Sequence, residues 1–348
     1  MVMTLVKSRS TWSIGYIHVY FYKVMPNIAD KLAVCFGPQF KENEPLAKHV
    51  NFRIGGLSRY FIEARSTTDL VEAVRVADEY AIPYFILGGG SNTLVADAGY
   101  QGLVIKAANR NLRIEDDRVT AEAGVISATV ARASADRGLR GFEWAISLPG
   151  TIGGAVRGNA GCFGGEIKDT LQSVKLLRAG AVIDVSVGDM DYKYRHSILK
   201  APGHEHDVVL EATFKLKPGD RAQAMAEIDK HLTGRKASQP LGSSSAGCMF
   251  KNFEFKTEDE ILKIKQQTTI PESMLAAHRL GAGWVIDQLG LKGTKIGEAQ
   301  IAPQHGNFLL NVGNATAHDV LSLINHVKTK ARDEFGLQLQ EEVQLLGF

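Results

Sequence analysis

Residues 141–167 read GFEWAISLPGTIGGAVRGNAGCFGGEI and contain eight glycines. A second glycine-rich stretch lies upstream and reads ILGGGSNTLVAD at residues 86–97, where three glycines follow a short apolar run. An isolated Gly-Gly-Gly is typical of a tight turn, because glycine adopts turn conformations without steric cost. Two such stretches exceed what turns require. They favour a backbone that approaches a large ligand closely, since each missing side chain lets the main chain come nearer.

The ligand that suits these stretches is an extended dinucleotide such as FAD. The upstream stretch lacks the Gly-Lys-Ser/Thr sequence of a Walker A loop, and it does not open a helix as the GxGxxG fingerprint does. A glycine nest presents backbone N–H groups to phosphate, and Ser91 and Asn92 add side-chain donors. A loop-rich enzyme that binds no dinucleotide is the open alternative, because glycine motifs give many false matches.

The surrounding pattern alternates strands and helices. Strand character at 59–64, a helical pattern at 68–80 and a second apolar run at 84–89 predict a parallel βαβ unit. Further expected elements are a strand at 102–107, a hairpin over 112–124, a helix from 127 to 138, strand pairs in 171–187 and 207–217, and a helix over 221–235.

The pattern changes near residue 238, after which the small residues QPLGSSSAG (239–247) mark a flexible boundary. Helices are expected near 272–289 and 317–335, with strands at 307–312 and 337–345. We therefore predict three parts: a non-core extension at 1–24, an FAD-binding domain at 25–237 with subdomains of about 45–107 and 108–237, and a C-terminal domain at 238–348. Translation starting at Met25 would explain the extension.

The composition excludes several classes of protein. Of 348 residues, 45% are hydrophobic and 22% charged, as in ordinary globular proteins. A formal net charge of +2 gives no strong basic field for nucleic acid. The cysteines Cys35, Cys162 and Cys248 are too far apart for a disulfide framework or zinc site, which favours a reducing cytosol. No run of 18 apolar residues predicts a membrane span.

Eight short motifs occur in an order that resembles one known family. They are NFRIGG (51–56), LGGGSN (87–92), LPGTIGGAVRGNAG (148–161), YRHS (194–197), SAGCMFKN (245–252), AGWVIDQLGLKG (282–293), HGNFLLN (305–311) and LQEEV (339–343). Over about residues 45–348 the chain is similar to UDP-N-acetylenolpyruvoylglucosamine reductases, flavoenzymes of bacterial peptidoglycan synthesis. The resemblance implies an α+β fold, in which an FAD-binding domain of the vanillyl-alcohol-oxidase type precedes a smaller α+β substrate domain. The short spacing after YRHS resembles the subclass without an inserted tyrosine loop.

The same resemblance implies non-covalent FAD, NADPH as hydride donor, a UDP-sugar substrate and a cytoplasmic location. It implies no metal, nucleic acid, membrane insertion or obligatory protein partner. The positions it assigns to the cofactor are Gly88, Gly89, Gly90, Ser91, Asn92, Leu148, Gly150, Thr151, Gly153, Gly154, Asn159 and Gly161. Those it assigns to the substrate are Tyr194, Lys251 and Asn252.

Three residues match the catalytic positions of the family: Arg195, Cys248 and Glu342. Hydride addition to an enolpyruvyl group pushes negative charge toward its carboxylate, which calls for a cation and for a positioned acid. Arg195 fits the cation role because a guanidinium is bidentate and always charged. Glu342 matches the family's glutamate near the C-terminus, which the resemblance implies assists stabilisation or proton delivery, and alternation along 337–345 places it on the polar face of a strand. A surface arginine and a solvated strand face are the plain alternatives.

Cys248 is the chain's main departure from the family, which usually carries serine at this position as the proton donor. A thiol is a stronger acid than a serine hydroxyl and is mostly protonated at pH 7. The alternative is a buried cysteine that acts as a small hydrophobe. For His305 and Asn307, in a matching motif, a packing role is at least as well supported as a binding role.

Two other functions remain open at this point. The same FAD domain would serve an oxidase, although YRHS, SAGCMFKN and Glu342 would then lack a joint purpose. A catalytically silent protein that binds nucleotide-sugar or flavin is the other alternative, since serine is replaced by Cys248.

Overall fold

The computed structural model describes residues 6–8, 11–13, 27–240 and 242–348. The expected extension at 1–24 lies mostly outside these residues. Within it, two short strands, β1 (Val6–Ser8) and β2 (Thr11–Ser13), pair antiparallel. Among the helices of the described ranges, none is long and apolar enough to cross a membrane.

The first subdomain is a four-stranded sheet with the order β3-β4-β7-β5. Its elements are α1 (Ile28–Phe36), β3 (Phe40–Pro45), β4 (Leu57–Ala64), α2 (Thr67–Glu79), β5 (Tyr84–Leu87), β6 (Thr93–Val95) and β7 (Tyr100–Ala107). β4 and β5 both run parallel to β7, which lies between them, so the predicted βαβ unit is confirmed. α2 begins at a capping box formed by Ser66 and Asp69.

The two faces of this sheet are covered differently. Ile62 and Ile105 point to a cluster that includes apolar residues of α1 and α2. Phe61 and Val104, their neighbours along the strands, point to the opposite cluster, which includes Leu346 from the end of the chain. This alternation follows from strand geometry, and it makes the C-terminal segment part of the first subdomain's core.

The second subdomain is a five-stranded antiparallel sheet with the order β14-β13-β15-β9-β8. Its elements are β8 (Leu112–Glu115), β9 (Arg118–Glu122), α3 (Ser127–Asp136), β10 (Leu139–Arg140), α4 (Ile152–Gly158), β11 (Gly161–Cys162), β12 (Gly165–Glu166), β13 (Leu171–Arg178), β14 (Ala181–Ser186), β15 (Val208–Lys215), β16 (Lys217–Pro218) and α5 (Arg221–Ser238). The strand pair predicted over 207–217 is wrong. β15 is one central strand that pairs with β13 and β9, and β16 pairs separately with β10.

The C-terminal region packs short elements around one long helix. These are β17 (Phe253–Glu254), α6 (Leu262–Lys265), α7 (Glu272–Ala276), β18 (Arg279–Leu280), α8 (Ala282–Gln288), β19 (Lys295–Ile296), β20 (Ala299–Ile301), β21 (Leu309–Asn311), α9 (Ala317–Phe335) and β22 (Gln344–Leu346). α9 has the predicted limits, a capping box at Thr316 and a left-handed Gly336. The boundary between domains at 237 and 238 stays a prediction.

Two expectations for this region are wrong. The helix predicted near 272–289 is two helices separated by β18, because His278 adopts a left-handed φ of 47° and β18 pairs with β17. The strand predicted at 337–345 is regular only in β22. There Leu345 is exposed and Leu346 is buried, the reverse of the predicted faces, since β22 pairs with β6 of the first subdomain.

A carboxylate from the first subdomain caps the long helix of the C-terminal region. Asp97 accepts hydrogen bonds from the backbone N–H groups of Ala317 (2.8 Å) and His318 (3.1 Å), in the first turn of α9. A helix N-terminus has unpaired N–H groups and a positive dipole end, so an anionic acceptor stabilises it. This contact helps to fix the two regions relative to each other.

Replacing Asp97 with alanine is expected to lower the free energy of unfolding by about 1–3 kcal/mol, because two charge-assisted hydrogen bonds are lost. Urea unfolding followed by circular dichroism measures the change. The control is Asp184→Ala, which removes an exposed ion pair with Lys175 and should cost less than about 1 kcal/mol. Equal losses in the two variants would contradict the capping role.

Candidate active site

The two glycine-rich stretches lie against each other. A Cβ atom added to Gly89 would lie 2.8 Å from the Cα of Gly150, and one added to Gly88 would lie 2.6 Å from Thr151 Oγ1. Both distances are too short for a real side chain. Ser91 also donates to the carbonyl of Pro149 at 3.2 Å. These glycines are therefore required first for the two loops to pack together, a reason that the sequence pattern did not reveal.

The packed loops border a cavity of about 830 Å³, a volume typical of small-molecule sites. Its walls come from both subdomains and the C-terminal region: Ala47, Lys48, Val50, Asn51, Arg53, Ser91, Pro149, Arg235, Gln239, Pro240, Gly242, Ser243, Ser244, Ser245, Gly247 and Phe308. Beside the loops, the buried Thr151 Oγ1 has no hydrogen-bond partner among the residues that the structure describes. An unpaired buried hydroxyl is costly, so it fits a site that receives a polar ligand.

The residues predicted for the cofactor divide into two groups. Gly88, Gly89, Gly90, Ser91, Gly150 and Thr151 come together in the packed loops, with Leu148 just before them and Gly153 and Gly154 in the first turns of α4. Asn92, Asn159 and Gly161 instead contact other parts of the protein. Asn92 Nδ2 donates to the carbonyl of Glu342 at 3.0 Å. Asn159 is fully buried, and its Nδ2 donates to Glu166 at 2.6 Å.

Arg195 lies in a left-handed turn with φ of 53°. Its Nε is 2.7 Å from Glu342 Oε1, and its Nη2 donates to the carbonyl of Gly161 at 3.0 Å. Burial of the guanidinium acts to lower its pKa, but the Glu342 carboxylate outweighs this, so the pKa of Arg195 lies above its ordinary value. Arg195 is therefore a partly buried cation with a defined partner, rather than a freely exposed surface arginine.

Glu342 lies at this site rather than on a solvated strand face. Its backbone N–H donates to the carbonyl of Met249 at 2.8 Å, and its own carbonyl accepts from Asn92. Burial raises the pKa of Glu342, against the opposing charges of Arg195, Lys200 and Lys251. The neighbouring Glu341 points elsewhere and pairs with Lys328 at 2.8 Å.

Cys248 faces the same ion pair. Burial raises the pKa of its thiol to about 12, and the Glu342 charge adds to this, while Arg195 and a hydrogen bond with Asn307 act in the opposite direction. The thiol therefore keeps its proton at neutral pH, which also slows oxidation because the thiolate is the reactive form. Cys248 contacts the apolar cluster around Phe308 as well.

Asn307 has the packing role that the sequence left open. Its side-chain Oδ1 accepts from the backbone N–H of Phe250 at 2.9 Å, and its Nδ2 donates to the carbonyl of Phe250 at 2.8 Å. His305 supports it, since its Nδ1 accepts from the backbone N–H of Asn307 at 3.2 Å. Asn307 thus fixes the segment that carries Cys248.

The predicted substrate residues contact one another. The Tyr194 hydroxyl accepts from the backbone N–H of Asn252 at 3.2 Å, and Asn252 Oδ1 accepts from the N–H of Ala282 at 3.1 Å. The Arg279 guanidinium lies 4.2 Å from the centre of the Tyr194 ring, a cation–π arrangement. Lys251 is half-buried, and its charge acts on Glu342.

Four basic residues of this neighbourhood were missed from the sequence: Arg157, Lys200, Arg235 and Arg279. Arg157 had a usable signal, because a cation inside a glycine-rich apolar stretch is unusual. Lys200 lies five residues after Arg195, but nothing in the pattern marked it. Arg235 and Arg279 reach the site only through the packing of α5 and β18.

Comparisons with known proteins place the chain in a family. Residues 58–186 match the family model of an FAD-binding domain. The fold and the site thus define an FAD-dependent oxidoreductase. Residues 239–346 match the C-terminal domain of UDP-N-acetylenolpyruvoylglucosamine reductase. The chain belongs to the UDP-N-acetylenolpyruvoylglucosamine reductase family, which confirms the resemblance seen in the motifs and the fold class inferred from it.

Individual relatives cover nearly the whole described chain. The reductase of Geobacter metallireducens is 36% identical over 307 residues, covering 88% of this chain and 93% of that protein. The reductase of Clostridioides difficile is 34% identical over 310 residues, again covering 88% and 93%. The crystal structure of the reductase from Thermus caldophilus superposes with a TM-score of 0.69 at 29% identity, covering 88% of this chain and 98% of that one.

Proposed function

We propose that this enzyme uses NADPH to reduce UDP-N-acetylglucosamine enolpyruvate to UDP-N-acetylmuramate, a step of peptidoglycan synthesis in the cytoplasm. The observation that carries the proposal is the partly buried Arg195–Glu342 ion pair, at 2.7 Å, whose charges act on the protonated thiol of Cys248. A cation, a carboxyl and a proton donor are the groups that this reduction needs.

The cavity that the packed glycine-rich loops border, with Ser91 and Pro149 in its wall, suits FAD. The main chain of Gly88–Ser91 and of Gly150, with the unpaired hydroxyl of Thr151, would hold it. The chemistry that bound FAD would supply is transfer of a hydride, from NADPH to C3 of the enolpyruvyl group. The protein's own side chains must then manage the charge and the proton.

Arg195 stabilises the negative charge that develops on the enolpyruvyl carboxylate. Its Nε faces Glu342 and its Nη2 donates to Gly161, whereas Nη1 donates to no acceptor within the described part of the chain. Nη1 is therefore the donor available to the substrate carboxylate. A preorganised donor in a water-poor site stabilises developing charge strongly, because it needs no reorganisation during the reaction.

Cys248 delivers the proton to C2. Its raised pKa ensures that the thiol is protonated at neutral pH, and Asn307 holds the segment that carries it. Glu342 orients the Arg195 guanidinium. Because burial also raises its own pKa, Glu342 is suited to assist proton delivery.

The decisive measurement is NADPH oxidation by the purified holoenzyme with the enolpyruvyl substrate. We expect a yellow protein that NADPH bleaches anaerobically and that UDP-N-acetylglucosamine enolpyruvate re-oxidises, with one NADPH consumed per product. UDP-N-acetylglucosamine, which lacks the enolpyruvyl group, should give no re-oxidation. Rapid turnover on oxygen would instead favour the oxidase, and binding without turnover would favour the silent protein.

A further inference from the structure

Lys200 is a partly buried cation to which the reaction described above gives no role. It ends a short 3₁₀ turn, Ile198–Lys200, and its Nζ donates to the backbone carbonyl of Arg195 at 2.9 Å. In the ranges that the structure describes, no carboxylate oxygen lies within 4.0 Å of this ammonium. Removing an ammonium from water without such a partner carries a cost even where burial is partial, so its presence calls for an explanation.

The hydrogen bond acts on an unfavourable backbone conformation. Arg195 has a φ of 53°, which is disfavoured for a residue with a Cβ atom. The turn is closed on its outer side by two hydrogen bonds between Lys193 and His196, at 3.1 and 3.2 Å. On its inner side the Arg195 carbonyl is held by Lys200. The backbone residue that carries the guanidinium is therefore held from this side by Lys200.

The charge of Lys200 adds to an excess of cations behind the ion pair. The charged groups that face the Lys200 ammonium are Arg157 from α4, Lys251 from the segment before β17, Arg195 from the preceding turn, and Glu342 from the segment before β22. Three of the four are cationic, so the region stabilises negative charge that develops beside it during the reaction. Burial, with the charges of Arg157 and Lys251, lowers the pKa of Lys200 to about 8, while Glu342 opposes this.

We propose that Lys200 is a positioning residue for the reduction, which holds the Arg195 turn in its left-handed conformation and adds a positive charge behind the Arg195–Glu342 pair. The inference rests on the proposed function, in which Arg195 stabilises charge on the substrate. It predicts two separable effects. Substitution of Lys200 removes its contact with the Arg195 carbonyl, which slows the reaction at every pH. It also removes the Lys200 charge, so the decline of the rate constant at alkaline pH disappears.

The test uses holoenzyme whose FAD has been reduced beforehand by light, so that NADPH binding does not enter. Rapid mixing with the enolpyruvyl substrate then gives the rate constant of flavin re-oxidation. For Lys200→Met we expect this rate constant to fall by roughly 10- to 100-fold at pH 7, with little change in the substrate concentration for half-saturation. The matched control, Lys193→Met, removes an exposed lysine of the same turn and should react like wild type.

The pH profile separates positioning from a purely structural role. Below pH 8 the Lys200 ammonium is charged and above it neutral, so the wild-type rate constant should decline between pH 7 and 9.5. Tyr194 and Cys248 have raised pKa values and do not titrate in this range. Lys200→Gln keeps a donor without the charge, and like Lys200→Met it should lack this decline.

Each result decides the question. A wild-type rate constant in Lys200→Met overturns the proposal. An unchanged alkaline decline of the rate constant in Lys200→Gln overturns it as well. The Gln variant also keeps the proposal testable if Lys200→Met does not fold. Wild-type enzyme that never reacts with the enolpyruvyl substrate would overturn the proposed function itself, a result that no Lys200 variant can mimic.

Discussion

Replacing Cys248 with alanine is expected to slow reduction of the enolpyruvyl substrate by about 10²- to 10⁴-fold, the range typical for loss of a positioned acid. Alanine has no proton to give to C2, whereas Arg195 and Glu342 keep their contact at 2.7 Å. Anaerobic reduction of the flavin by NADPH should keep its wild-type rate constant, because no carbon atom is protonated in that step. Stopped-flow absorbance of the flavin measures both steps separately.

The control for this experiment is Cys248→Ser, which replaces the thiol by a hydroxyl of similar size. It should retain reductase activity, because serine keeps a proton donor at this position. If Cys248→Ala turns over at the wild-type rate, the cysteine serves only to pack against the Phe308 cluster and another group protonates C2.

Glu342→Gln is expected to lower the same rate constant by about 10²- to 10³-fold. Glutamine keeps the shape but not the charge, so the Arg195 guanidinium loses the partner that fixes its orientation. The backbone contacts of residue 342 with Met249 and Asn92 do not involve the side chain and should persist. FAD content and the thermal midpoint should therefore stay close to those of wild type.

The adjacent glutamate offers a matched control. Glu341→Gln removes a carboxylate that pairs with Lys328, and an ion pair of this partly exposed kind contributes less than about 1 kcal/mol. Its rate constant should equal that of wild type. If the two variants lose activity equally, the segment as a whole is sensitive to substitution and the side chain of Glu342 has no special role.

Local structure followed from the sequence wherever a short-range signal existed. The capping boxes at Ser66 and Thr316 and the terminating Gly336 placed the limits of α2 and α9, since these contacts span only a few residues. The helix predicted near 272–289 failed because pairing of β18 with β17 overrides helical periodicity. Leu345, predicted to lie on the apolar face of its strand, is exposed instead. The reason is again strand pairing, because β22 pairs with β6.

The candidate site was predictable in its chemistry and only partly in its arrangement. The motifs singled out Arg195, Cys248 and Glu342, and the structure brings these three side chains together. It also shows that Asn92, expected to bind the cofactor, has its side chain on the Glu342 backbone. No sequence signal marked Lys200, because its role depends on what surrounds it after folding.

The amino-acid sequence alone determined the family, the glycine-rich loops, the helix limits and the types of reactive group. These depend on residue identity and on contacts close along the chain. Only the tertiary structure decided that the partly buried Glu342 pairs with Arg195, that the Cys248 thiol keeps its proton, and that Lys200 binds the Arg195 carbonyl. The physical reason is that burial and opposing charge set these properties, and both arise when segments distant in sequence pack around a shared core.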